Sequence, residues 1–140
     1  MYQVTRIGID DTRALIDGAR AKAVEVGVPM CIAIVDDAGN LVAFERMDGG
    51  KVTSITIAID KAYTAAAAKR ATHDYGTASQ PGSPAYGINS AIGGRLMIVG
   101  GGLPIIFNNE VVGGIGISSG TPDQDRAVAQ AGIDRLMAQS

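Results

Sequence analysis

Cysteine and histidine occur once each in this chain of 140 residues, as Cys31 and His73. A lone cysteine cannot close an intrachain disulfide, and one residue of each type cannot assemble the Cys/His sets that hold zinc. No metal site is expected. Basic charge is also scarce: Lys and Arg number 12 against 14 Asp and Glu, for a net charge of -2, and they are scattered along the chain. Such a chain carries no positive field for a polyanion, which excludes nucleic acid as a partner. No apolar run approaches the roughly 18 residues that a membrane span needs, and Met1 to Ile7 hold no charged segment leading into an apolar one. The expectation is a cytoplasmic protein with no membrane contact. Neither a Gly-x-x-x-x-Gly-Lys-Ser/Thr phosphate loop, nor a dinucleotide fingerprint, nor a serine-nucleophile elbow is expected, which sets nucleotide chemistry aside.

What the chain does contain is a globular balance, 46% hydrophobic and 19% charged residues. Its length suits one domain spanning residues 1–140, able to bury roughly 70% of the surface of the unfolded chain. From Asp10 to Val26, Leu15, Ala19, Ala23 and Val26 recur at helical spacing, and Gly27 and Pro29 end the run. Met30–Val35 and Leu41–Arg46, joined by Asp36-Asp-Ala-Gly-Asn40, read as a β-hairpin in which Cys31 is a small core hydrophobe. A second helix is expected over Ser54–Thr72, because four consecutive alanines and the Ile55, Ile59, Ala62, Ala66 spacing outweigh the β-branched start.

His73–Gly94 contains Pro81, Pro84 and several glycines without an apolar period, and reads as a long loop of the kind that compact domains keep for function. Arg95–Val99, Pro104–Phe107 and Glu110–Ser118 read as three strands joined by Gly100–Gly102 and Asn108-Asn109. Thr121 as N-cap, Pro122 at the first helical position and Gln124 three residues after the cap mark a last helix running to Met137. The order predicts an α+β fold, an antiparallel sheet flanked by helices.

Asp36-Asp-Ala-Gly-Asn-Leu-Val-Ala-Phe-Glu-Arg-Met-Asp48, Lys61-Ala-Tyr-Thr-Ala65, Gly100-Gly-Gly-Leu-Pro-Ile105, and Gly113-Gly-Ile-Gly-Ile-Ser118 ahead of Asp125 stand out as a set. Together they resemble the GlcG/HbpS haem-binding family, which includes the C-terminal domain of the propanediol-utilisation cobalamin adenosyltransferase. The match runs in order over nearly the whole chain. It implies a profilin-like fold with a five-stranded antiparallel sheet, a homo-oligomer from dimer to octamer, and a small-molecule ligand. In some members that ligand is haem, and others are encoded in catabolic operons.

Two functions are expected from this. The first is an oligomeric protein binding haem or a related tetrapyrrole, in a pocket between the sheet and the alanine-rich helix or at a subunit interface. The second is an enzyme, or an enzyme accessory, that applies acid-base chemistry to a small carboxylated or hydroxylated catabolite. His73 is a candidate haem ligand or base, or else a solvated imidazole favoured by a helix C-terminus. Tyr63 would line a pocket or pack in the core. Gly100, Gly101 and Gly102 would form an anion-binding nest or a sharp strand reversal. Arg95 would grip a carboxylate or a haem propionate through two hydrogen bonds. An acid and a base would come from Asp48, Lys61, His73 and Asp125, whose alternatives are structural ion pairs, Arg46 with Asp48 among them.

Overall fold

The computed structural model describes residues 1–139, in the order α1 (Ile9–Val26), β1 (Cys31–Asp36), β2 (Leu41–Arg46), α2 (Thr53–Ala67), α3 (Thr72–Ala78), β3 (Gly102–Phe107), β4 (Glu110–Ser118) and α4 (Pro122–Ala138). Two short 3-10 turns, Ile88–Ser90 and Ile92–Gly94, lie between α3 and β3. The four strands form one antiparallel sheet in the order β2-β1-β4-β3. Two hairpins therefore lie side by side, joined through β1 and β4. The second closes on Asn108-Asn109, both at positive φ, as the mirror-image turns favoured between twisted strands require.

Alternation along the two central strands explains the layers. Ile32, Ile34, Ile115 and Ile117 point to one face, where Leu15, Ala19, Val128 and Ala129 of α1 and α4 cover them. Cys31, Ala33 and Val35 point to the other, against Ala58, Ala62 and Ala66 of α2. The second interface is built almost without side chains. A Cβ on Gly116 would fall 2.0 Å from the Ala58 carbonyl oxygen, and one on Gly114 would fall 2.5 Å from that of Ala62. At Gly114 and Gly116 the sheet and the alanine-rich helix leave no space for a ligand between them. On the opposite face Gly18 and Gly132 let α1 and α4 approach each other, since a Cβ on Gly18 would meet Arg135 Cβ at 2.6 Å.

Three expectations need correction. The sheet has four strands rather than five, because Arg95–Val99 does not join it. The Thr64 hydroxyl on α2 accepts the Met97 N–H at 2.9 Å and faces the Arg95 carbonyl at 3.1 Å, so this segment spends backbone groups on a helix instead of a strand. The alanine helix stops at Ala67, followed by Lys69 at φ 56, and Thr72 starts α3 in what was expected to be loop. The first helix starts at Ile9 rather than at the expected Asp10, and Gly8 caps it, its N–H donating to Asp11 Oδ2 at 2.7 Å. The capping box of α4 forms as its sequence indicates, with Thr121 and Gln124 exchanging hydrogen bonds at 3.0 and 3.2 Å. Among the described residues no helix is long and apolar enough to cross a membrane.

Candidate functional site

Of the four acid-base candidates, the fold brings two together. Lys61 on α2 and Asp125 at the start of α4 are 64 residues apart, yet Lys61 Nζ donates to Asp125 Oδ2 at 3.0 Å and to the Ile117 carbonyl at 2.9 Å. Asp125 Oδ1 accepts the Gly120 N–H at 2.9 Å. Both side chains are nearly sealed from solvent, at 2% and 3% exposure. Burial pushes the Lys61 ammonium toward release of its proton and the Asp125 carboxyl toward holding one, and each charge opposes the other's shift. Enclosed on all sides and fully engaged, the pair suits a structural clasp between α2, the end of β4 and α4 better than proton exchange with a ligand.

Gly101 closes over that clasp. It sits at φ +125, and a Cβ there would lie 2.7 Å from the Ile117 carbonyl oxygen, 2.8 Å from Asp125 Cβ and 2.9 Å from Lys61 Nζ. Its neighbour Gly102 gives its N–H to Thr72 Oγ1 at 2.9 Å. Gly100, Gly101 and Gly102 are all buried, and the run leads into β3 instead of reversing between two strands. Close packing thus accounts for two of the three glycines.

His73 lies at the first turn of α3, and its Cβ is 3.6 Å from where a Cβ on Gly100 would stand. Its side chain is 31% exposed, with Nε2 3.6 Å from Asp74 Oδ1. Nδ1 is buried and has no hydrogen-bond partner among the described residues. Such an atom is costly to leave unmatched. Tyr63 and Arg95 meet as a stacked pair, with the guanidinium carbon 3.8 Å from the ring centroid, and Arg95 Nε donates to Asp60 Oδ1 at 3.0 Å. Asp48 is exposed in the turn after β2, and the ion pair offered for it with Arg46 does not form among the described residues. Surface clefts beside Phe107, of about 190 Å³, and between Gly18 and Arg135, of about 390 Å³, are lined by none of these residues.

The expectation that the chain holds no serine-nucleophile elbow needs correction at the level of sequence: Gly116-Ile-Ser-Ser-Gly120 has the Gly-x-Ser-x-Gly spacing at a strand-to-helix turn. In the serine hydrolases that spacing presents an exposed hydroxyl to a histidine. Here Ser118 is buried at 6% exposure and its hydroxyl is bonded to Ser54 Oγ at 3.0 Å, so it is no activated nucleophile.

A family model described as haem degrading protein HbpS-like matches residues 7–134. The chain belongs to the HbpS-like family. Among its relatives is an uncharacterized 15.0 kDa protein of the dhaT-dhaS intergenic region of Citrobacter freundii, 39% identical over 94% of this chain and 93% of that protein. The corrinoid adenosyltransferase PduO of Salmonella typhimurium is 35% identical over 91% of this chain, which corresponds to 38% of that longer protein. The crystal structure of Klebsiella pneumoniae protein ORFY superposes with a TM-score of 0.96, at 37% identity over 99% of this chain and 95% of that one. A crystal structure of a PduOC:heme complex superposes with a TM-score of 0.90, at 34% identity over 94% of this chain and 95% of that one. Within this HbpS-like domain the buried clasp, the glycine turn and α3 form one contiguous region, with Arg95 and Tyr63 reached through α2.

Proposed function

We propose that this HbpS-like chain works in the cytoplasm as a homo-oligomer of two to eight subunits that binds haem or a related tetrapyrrole. The observation that carries the reading is the likeness, at 34% identity and a TM-score of 0.90, to a domain crystallised with haem. The residues present fit the group in one respect. His73 is an imidazole with 31% of its side chain exposed and one ring nitrogen buried without a partner, which leaves Nε2 as the nitrogen able to reach outward to iron. Bound haem would supply iron-centred redox chemistry and an intense visible absorbance. The protein's part is to hold the ligand, to present the imidazole and to keep water from it. With α2 closed on the sheet at Gly114 and Gly116, this reading puts the ligand on a surface completed by a second subunit.

The test compares the absorbance of wild type and His73→Ala after reconstitution with hemin. An axial imidazole predicts a sharp Soret band in the wild type that moves and broadens in the variant, with hemin affinity falling at least about tenfold, or 1.4 kcal/mol. Identical spectra would remove His73 from the site, and a wild type that leaves hemin free would overturn the proposed function.

A further inference from the structure

Arg95 is held more firmly than its exposure requires. Its carbonyl is 3.1 Å from the Thr64 hydroxyl, its Nε donates to Asp60 Oδ1, and its guanidinium lies on the Tyr63 ring. Asp60, Tyr63 and Thr64 fall at i, i+3 and i+4 on α2, so a single helix face supplies all three restraints. Tyr63 is braced in turn from the β1–β2 turn, where a Cβ on Gly39, at φ +87, would come within 2.7 Å of Tyr63 Cδ1. This gives the Asp36-Asp-Ala-Gly-Asn40 motif a structural purpose that its turn chemistry alone does not supply.

One face and one edge of the guanidinium are thereby occupied. The other edge, carrying Nη1 and Nη2, has no acceptor among the described residues, and the side chain is 42% exposed. Gly93 and Gly94 precede it at φ +62 and +84, and a Cβ on either would meet nothing within 4 Å. The guanidinium is thus a part-exposed planar two-donor fork whose orientation is already fixed, and such a fork matches the two oxygens of a carboxylate. Holding an arginine rigid removes the ordering cost that a flexible cation pays on binding.

We infer that Arg95 is the carboxylate anchor of the ligand site, with Tyr63 and Asp60 as its positioning residues. The inference rests on the proposed function in that the carboxylate belongs to the bound ligand. Two sources share that chemistry: the propionate of a tetrapyrrole and a free organic acid.

The experiment titrates the intact protein with hemin, with hemin dimethyl ester and with sodium benzoate, in wild type, Arg95→Gln and the charge-preserving Arg95→Lys, with thermal melts alongside to verify folding. A propionate anchor predicts that esterification weakens wild-type binding about 10- to 100-fold, that Arg95→Gln weakens hemin by a similar factor, and that the variant no longer distinguishes acid from ester. Arg95→Lys, which keeps the charge and loses the fork, should fall between them. An anchor for a free acid predicts instead that hemin and its ester bind wild type equally, while benzoate binds saturably and loses at least tenfold in Arg95→Gln. If wild type ignores hemin, the haem reading fails and the benzoate arm alone decides the anchor. An Arg95→Gln protein that folds and matches wild type on all three probes would overturn the inference.

Discussion

Lys61 is the largest fully buried side chain in the protein, and it exists there because Asp125, the Ile117 carbonyl and the glycine turn surround its ammonium. An ion pair out of water is costly to form, and much costlier to leave half made. Asp125→Asn should therefore destabilise the fold by about 3–5 kcal/mol in chemical denaturation, because it strands a buried cation. Lys61→Met combined with Asp125→Leu should recover most of that loss, since neither partner then remains charged. A cost below about 1 kcal/mol for Asp125→Asn would show that the pair is not the clasp described here. At this scale the sequence was least legible. The residues Lys61, Asp125, His73 and Arg95 stand out by type, but nothing in their spacing tells that the first two meet, or that Asp60 and Tyr63 fix the last. Those pairings depend on how α2 crosses the sheet, which is a property of packing between distant segments.

Among the elements, α2 and β4 show how small residues place a site. Ala58, Ala62 and Ala66 recur every four residues, and Gly114 and Gly116 recur every two, so a helix stripe and a strand face meet with backbone on backbone. Gly116→Ala puts a methyl 2.0 Å from a carbonyl oxygen that belongs to a helix and cannot swing away. It should cost about 1–3 kcal/mol or more, measured by thermal or urea unfolding, and should lower hemin affinity by lifting α2 and the residues it carries. Gly8→Ala, at φ -99 with only a flexible carboxylate oxygen 3.7 Å from the new methyl, meets no clash and should lose only the helix-cap preference, about 0.5–1 kcal/mol, while leaving hemin affinity unchanged. The helix period, the hairpin at Asp36–Asn40 and the Thr121 capping box were readable because each is a local rule acting within a few residues. Arg95–Val99 misled because its apolar, branched residues favour a strand, while the Thr64 hydroxyl 31 residues away takes its backbone. The end of α2 at Ala67, with Lys69 turning away at φ 56 just beyond it, was hidden by the helix propensity of its alanines.

At the scale of the whole molecule, glycines and alanines bring α2 backbone to backbone with the sheet, while unmatched hydrogen-bonding groups occur on α3 and in the segment before β3: the His73 Nδ1 atom and the free edge of Arg95. Tyr86 and Ile92, exposed at 70% and 54%, lie in the same stretch of chain. Under the proposed function a subunit built this way would meet a flat ligand with its surface and a second subunit would bury it, which is why binding and assembly are joined in this account. The decisive measurement is a hemin titration of the purified protein followed by absorbance, with light scattering on the same samples. The account predicts a saturable Soret shift at one haem per subunit or per dimer, in a particle of two to eight subunits. Weak, non-saturating absorbance changes on a monomeric particle would contradict it.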